Sequence, residues 1–274
     1  MTPLFAAALI FLLVASDDPE FASPQSVTIT GYSGDAMEPF LTKWRTAALG
    51  CPGQARAPVL HKALQGANSP TLDAVATVDS AGNIYFVTTR SYDQDFMTIY
   101  HGHFERGVVS DVMPVSGISR GVRGQVNFDV EVSADGNTLY FTDGLFTGGP
   151  VPAQADLAIA VRGSDGQFHR TDGALLASIN TSALEYAACI SEDQLELFFT
   201  RIVDGQPGIF RSTRPDRSSP WGTPRRLSAI VGFAEAPTIS PGGSALYYHA
   251  LRNGRMVIER VSRRSATKRR AVRH

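Results

Sequence analysis

One pattern returns four times along this chain, and it limits the fold more than any other feature. The stretches are DAVATVDSAGNIYFVTT from Asp73, DVEVSADGNTLYFTDG from Asp129, EYAACISEDQLELFFTR from Glu185 and EAPTISPGGSALYYHA from Glu235. Each opens on an acid and passes through a short apolar run and a Ser/Asp/Gly turn. Each ends in a second run rich in aromatic residues. The acids are spaced by 56, 56 and 50 residues. Self-similarity at such a period is the signature of repeat architectures, in which one supersecondary unit buries its faces only by stacking on the next.

Within a unit the physics is that of a hairpin. Val130 and Val132 alternate with Glu131 and Ser133, the period of two that a strand imposes. Ala134-Asp135-Gly136-Asn137 is turn chemistry, and Thr138 to Thr142 supply β-branched and aromatic residues for a second strand. Two more strand candidates follow in each unit, such as ADLAIAVRG at 155–163, GIFRSTR at 208–214 and FMTIYHGHF at 96–104. Four strands in about fifty residues, repeated, predict an all-β fold, a β-propeller of four-stranded blades that is short on helix. Gly 25 and Pro 16, spread along 274 residues, supply the turns, and 43% hydrophobic residues supply the core.

A fifth start is visible at Glu38, where Glu38-Pro39-Phe40-Leu41-Thr42 follows the pattern of the Glu235 unit. Only 35 residues separate it from Asp73, and the turn and aromatic strand expected after it are missing. The stretch 43–70 reads instead as a blade damaged by deletion or frameshift, or as a loop insertion.

The repeated phrases, with WGTPRRLSAI after a third strand, resemble the WD40-like (PD40) repeats of TolB-type propellers across roughly residues 27–262. That resemblance implies a six-bladed ring, against the five starts counted here, so five or six blades are expected. It also implies that a strand near Ser26–Thr30 completes the last blade. One propeller domain is expected over 17–262. The function implied is that of an exported, non-enzymatic module that binds or scaffolds a protein or peptide. The alternative from another class is a carbohydrate-active propeller, a glycoside hydrolase, lyase or lectin.

Residues 4–15, LFAAALIFLLVA, form an unbroken apolar run that ends in small residues. As a helix it would reach about 18 Å, short of the ~30 Å bilayer core, so 1–16 reads as a signal peptide and not as a span. A periplasmic or secreted location follows from that reading, and no stable membrane span is expected. Cys51 and Cys189 are too few for a disulfide framework, and Cys189 sits in a strand as a small apolar residue. The net charge of −1 hides a basic tail: 263–274 carries six basic residues and no acid, which leaves 19 basic against 26 acidic elsewhere. A charge run of this kind is expected to be a solvated, disordered tail.

The candidate site is the set of repeat-equivalent acids, Glu38, Asp73, Asp129, Glu185 and Glu235. Each opens the first strand of its unit, and first strands line a propeller's channel. Their carboxylates would then converge at one channel mouth and hold a basic peptide or a cation such as Ca2+. The competing reading is that each acid accepts hydrogen bonds within the scaffold. His101 and His103 fall on one face of a strand, but no third ligand accompanies them, and no metal site or cofactor is expected. No phosphate-cradling glycine loop and no GxSxG elbow is present. The aromatic pairs fall at strand positions, so nucleic-acid binding is not expected.

Overall fold

The computed structural model describes residues 20–29, 34–37, 39 and 65–264. The 1–16 segment, Glu38, Cys51, residues 43–64 of the atypical stretch and residues 265–274 of the tail lie outside the described residues.

Among the described residues the strands form four antiparallel sheets of four strands each. A first short strand, β1 (Gln25–Ser26), comes from the N-terminal side. Blade 1 is β2 (Asp73–Val78), β3 (Asn83–Thr88), β4 (Ile99–Glu105) and β5 (Val108–Pro114) in spatial order. Blade 2 is β6 (Gln125–Val132), β7 (Thr138–Leu145), β8 (Gln154–Arg162) and β9 (Phe168–Arg170). Blade 3 is β10 (Glu185–Ile190), β11 (Glu196–Val203), β12 (Gln206–Thr213) and β13 (Arg225–Arg226). Blade 4 is β14 (Ala234–Ile239), β15 (Ala245–Arg252) and β16 (Arg255–Ser262), with β1 as its outer strand. Among the described residues helix is confined to one short turn, Tyr92–Asp95, and two 3-10 turns.

This is the expected propeller with a different blade count. Four blades stand among the described residues, not five or six, and the fifth start at Glu38 falls outside them. The expected closure is present: Gln25 pairs with Arg260 and Ser26 with Glu259, so the N-terminal strand completes the last blade. Strand pairing extends on to an isolated bridge between Phe21 and Arg263. First strands pack in sequence, β2 on β6, β6 on β10 and β10 on β14, and so line the axis.

Each first strand carries a bulge at the same place. Two residues, 75–76, 129–130, 187–188 and 236–237, oppose one residue of the second strand. The first of each pair has a left-handed backbone: Val75, Asp129, Ala187 and Ala236, with φ of 47, 52, 53 and 49°. None is glycine, so each stores strain that the surrounding sheet holds in place. The residues opposite the bulges are Phe86, Phe141, Phe199 and Tyr248, all buried.

A second recurrent device joins the blades. In blades 1, 2 and 3 the residue before that aromatic packs on an aromatic from the outer strand side of the next blade. The pairs are Tyr85–Phe168, Tyr140–Trp221 and Phe198–Phe21, edge-on with centroids 6.1, 6.5 and 6.3 Å apart. An arginine at the end of the third strand covers each pair. Arg162 lies 4.3 Å over Phe168, Arg214 lies 4.3 Å over Trp221 and Arg263 lies 5.0 Å over Phe21. The Nε of each donates to a carbonyl of its own hairpin turn, at Gly136, Gln194 and Gly243. The terminal nitrogens cross to the preceding blade and donate to Tyr85 Oη (2.7 Å), Tyr140 Oη (3.2 Å) and the Glu196 carboxylate (2.7 Å). Arg214 is the buried one of the three, and a desolvated cation–π contact contributes roughly 2 kcal/mol. Arg263, the first residue of the basic run expected to be a disordered tail, instead closes blade 4, and Arg264 bonds the Glu20 and Phe21 carbonyls beside it.

Candidate functional site

The bulges set the register of the acids. Counted from the left-handed residue, Asp73 and Glu185 are equivalent, each two positions before it. Asn127 and Ala234 hold that position in blades 2 and 4. Asp129 is itself the left-handed residue, and Glu235 immediately precedes one. The four described acids therefore stand at three different positions, and the register does not place them at one height around the axis. Glu38 lies outside the described residues.

Asp73 and Glu185 are built into the scaffold in the same way. Arg90 reaches Asp73 at 3.1 Å, and Arg201 reaches Glu185 at 2.7 Å. The same guanidinium donates to a carbonyl six residues upstream of the acid, Ala67 or Ile179. A hydroxy residue four positions upstream, Ser69 or Thr181, donates both its N–H and its hydroxyl to the carboxylate. The device folds the incoming loop onto the first strand and leaves Glu185 fully buried. Burial alone would raise the Asp73 carboxyl. Hydrogen bonds from Thr88, Ser69 and Arg90 outweigh it and hold the group below its ordinary value. In blade 2 the roles are exchanged, since Asn127 donates to Asp143, which Arg120 and Arg170 hold.

Glu235 is held differently, through Tyr186 and His249. The Tyr186 hydroxyl, from blade 3, donates to Glu235 Oε1 in blade 4. Glu235 Oε2 lies 2.9 Å from His249 Nε2, on the residue paired directly opposite it in β15. Phe233 packs at 6.4 Å against the His249 ring, which is 5% exposed, while the Glu235 side chain keeps 20%. The Tyr186 phenol is pushed far up, first by burial, then by its bond to Glu235 and that group's charge, and then by the charge of Asp129. Asp129 of blade 2 thus contributes its field to a site shared by three blades. The result is a polar, electronegative niche at the end of the channel where the first strands begin.

This niche breaks the repeat. Blades 1, 2 and 3 place Ala74, Phe128 and Tyr186 where blade 4 places Glu235. Tyr186 and His249 were not readable as site residues, because a tyrosine and a histidine in strands carry no spacing signal. Their meaning comes from the register across the 2–3 and 3–4 junctions. Among the described residues no group of three or more His, Cys, Asp or Glu side chains is arranged to hold a metal ion. His101 packs on Tyr85 and His103 is exposed on the same strand. Cys189 occupies a threonine's place: its Sγ accepts from Ile239 N–H at 3.2 Å, as Thr77 Oγ1 accepts from Val132 N–H.

No family model and no curated protein matches the sequence. Among solved structures, the chain is similar to a TolB of Agrobacterium tumefaciens, at 18% identity over 73% of this chain and 64% of that one, with a TM-score of 0.48. It is also similar to TolB of Acinetobacter baumannii, at 16% identity over 70% and 43%, with a TM-score of 0.47. A gluconolactonase of Xanthomonas campestris matches at 14% identity over 71% and 73%, with a TM-score of 0.42. The chain therefore spans about two thirds or less of the two TolB structures.

Proposed function

We propose that this propeller is an exported binding module that takes a basic peptide segment of a protein partner at the Asp129–Tyr186–Glu235–His249 niche. The observation that carries the reading is the contrast among the acids. Asp73 and Glu185 are each locked by an arginine, whereas Glu235 is held by a tyrosine hydroxyl and a histidine and keeps access to solvent. A lysine or arginine side chain presented to the channel would find a carboxylate there and a second negative charge beside it. Export rests on the apolar run at 4–15. No helix among the described residues is long and apolar enough to cross a membrane.

A thermal melt of the full chain with a panel of basic peptides, Ca2+ and oligosaccharides tests this. A ligand at 100 times its Kd adds about 2.7 kcal/mol to a cooperative unfolder. The reading expects a rise with a basic peptide that Glu235→Gln and Asp129→Asn remove. A rise that survives both variants overturns it.

The second reading is a carbohydrate-active propeller. It draws support from the same break in the repeat, because Glu235 and His249 form a carboxylate–imidazole pair that could relay a proton. It is the weaker reading because His249, the partner that would pass the proton, is buried. Hydrolysis or elimination of an oligosaccharide, lost in Glu235→Gln, would establish it.

A further inference from the structure

The junction between blades 1 and 2 holds a cleft of about 350 Å3. Its lining includes Tyr85, His101 and Met113 from blade 1 and Arg162, Gln167 and Phe168 from blade 2. Strand register assigns each of these a counterpart at the junction of blades 3 and 4. His101 faces Tyr85 as Arg211 faces Phe198. Met113 faces His101 as Arg225 faces Arg211. Phe168 pairs with Arg162 as Phe21 pairs with Arg263, so Gln167 corresponds to Glu20.

At the 3–4 junction this location is filled by the protein's own carboxylate. Glu20 lies 3.1 Å from Arg211 and 2.6 Å from Arg225. At the 2–3 junction it is neutral, with a buried Ile159 opposite Tyr140. At the 1–2 junction the equivalent of Glu20 is an uncharged amide, and among the described residues no acid lines the cleft. Two groups on its wall can face an anion. Arg162 spends its three nitrogens on neutral acceptors, the Gly136 and Gly166 carbonyls and the Tyr85 hydroxyl. His101 stacks on Tyr85 with its ring within the field of Arg162. Met113, Pro114, Val115 and Phe168 add apolar wall, with Ser116 and Gln167 beside them.

We propose that this cleft binds a small carboxylate with an apolar, planar body, its charged end between His101 and Arg162 and its body against Met113 and Phe168. The ligand's carboxylate takes the place that Glu20 occupies two junctions away. Volume fits: small-molecule sites begin at around 300 Å3 and are lined mostly by apolar groups with a few placed polar ones. Burial, and then the charge of Arg162, lowers the affinity of His101 for its proton. This site is separate from the channel niche and does not depend on how that niche functions.

The test is a titration of the full chain with benzoate and with benzamide, its uncharged counterpart, followed through the imidazole proton resonances of His101. Benzoate moves those signals saturably, and benzamide binds at least about tenfold more weakly. Gln167→Glu, an exposed change, supplies the cleft with its own carboxylate in the position of Glu20. It weakens benzoate at least about tenfold, while Gln167→Ala leaves it within about threefold. Equal binding of benzoate and benzamide, undiminished binding to Gln167→Glu, or no saturable shift of His101 below about 50 mM overturns the proposal.

Discussion

Replacing Arg214 measures the device that joins the blades. The residue is buried, at 6% exposure, and its guanidinium donates to the Gln194 and Arg217 carbonyls at 2.8 Å each and to Tyr140 Oη at 3.2 Å. It also lies 4.3 Å over the Trp221 ring. Three hydrogen bonds at about 1 kcal/mol net each and a desolvated cation–π contact of about 2 kcal/mol give a gross loss near 5 kcal/mol. Relief of the buried charge's desolvation offsets part of this, and the cavity left by the side chain adds to it. Arg214→Ala should therefore lose about 4 kcal/mol, or about 8–16 °C in Tm for a domain of this size. Arg214→Met keeps the stem's packing on Trp221 and should lose about half as much. Urea unfolding followed by tryptophan fluorescence reads this directly, because Trp221 is itself the stacked ring. A loss below about 1 kcal/mol in Arg214→Ala would refute the claim that the arginine joins blades 2 and 3.

Phe21 tests the closure, since it is fully buried and packs on Phe198 across the 3–4 junction. Phe21→Ala should cost about 3–5 kcal/mol in the same urea assay, and a surface-like cost under about 0.5 kcal/mol would show that the N-terminal segment does not complete blade 4. Acid should unfold the protein through its aspartates. The Asp73, Asp135 and Asp193 carboxyls are held below their ordinary value by hydrogen bonds that outweigh burial, so the stability they contribute is present above the unfolded pKa near 4 and is lost as pH falls through their folded values. Melts between pH 6 and pH 3 should show Tm falling below about pH 4, and Asp135→Asn should flatten that fall. Of the eight tyrosines, Tyr85, Tyr140, Tyr186 and Tyr248 have phenols raised chiefly by burial. Absorbance at the phenolate band should therefore show an incomplete titration near pH 11 that completes only on unfolding.

The hairpins were legible because alternation and turn residues are local, and Val130/Val132 with Ala134–Asn137 state both within one stretch. Closure by the N-terminal strand was legible because a ring of repeats needs its last blade completed. The count of blades was not, since the fifth start at Glu38 lacks the turn and aromatic strand that identify a unit. The alignment of acids failed for a specific reason. The bulge fixes the register, and its left-handed residue is Val75, Asp129, Ala187 or Ala236, never the glycine that would have marked it. Aligning instead on the ends of the third strands would have exposed Arg162, Arg214 and Arg263 in AVRG, RSTRP and RVSRR. It would also have moved Arg263 from the tail into the ring. The pairing of Tyr186 with Glu235 was beyond reach, because it depends on how one blade is set against the next.

The most direct test of the central claim is calorimetric titration of the full chain with a lysine-rich decamer at low and moderate salt, on the wild type and on Glu235→Gln. The account predicts saturable binding that weakens with salt and that drops at least about tenfold in Glu235→Gln, while Asp73→Asn, whose acid is locked by Arg90, leaves the affinity of the folded protein unchanged. Binding that is indifferent to Glu235, or that falls equally in Asp73→Asn, would contradict it.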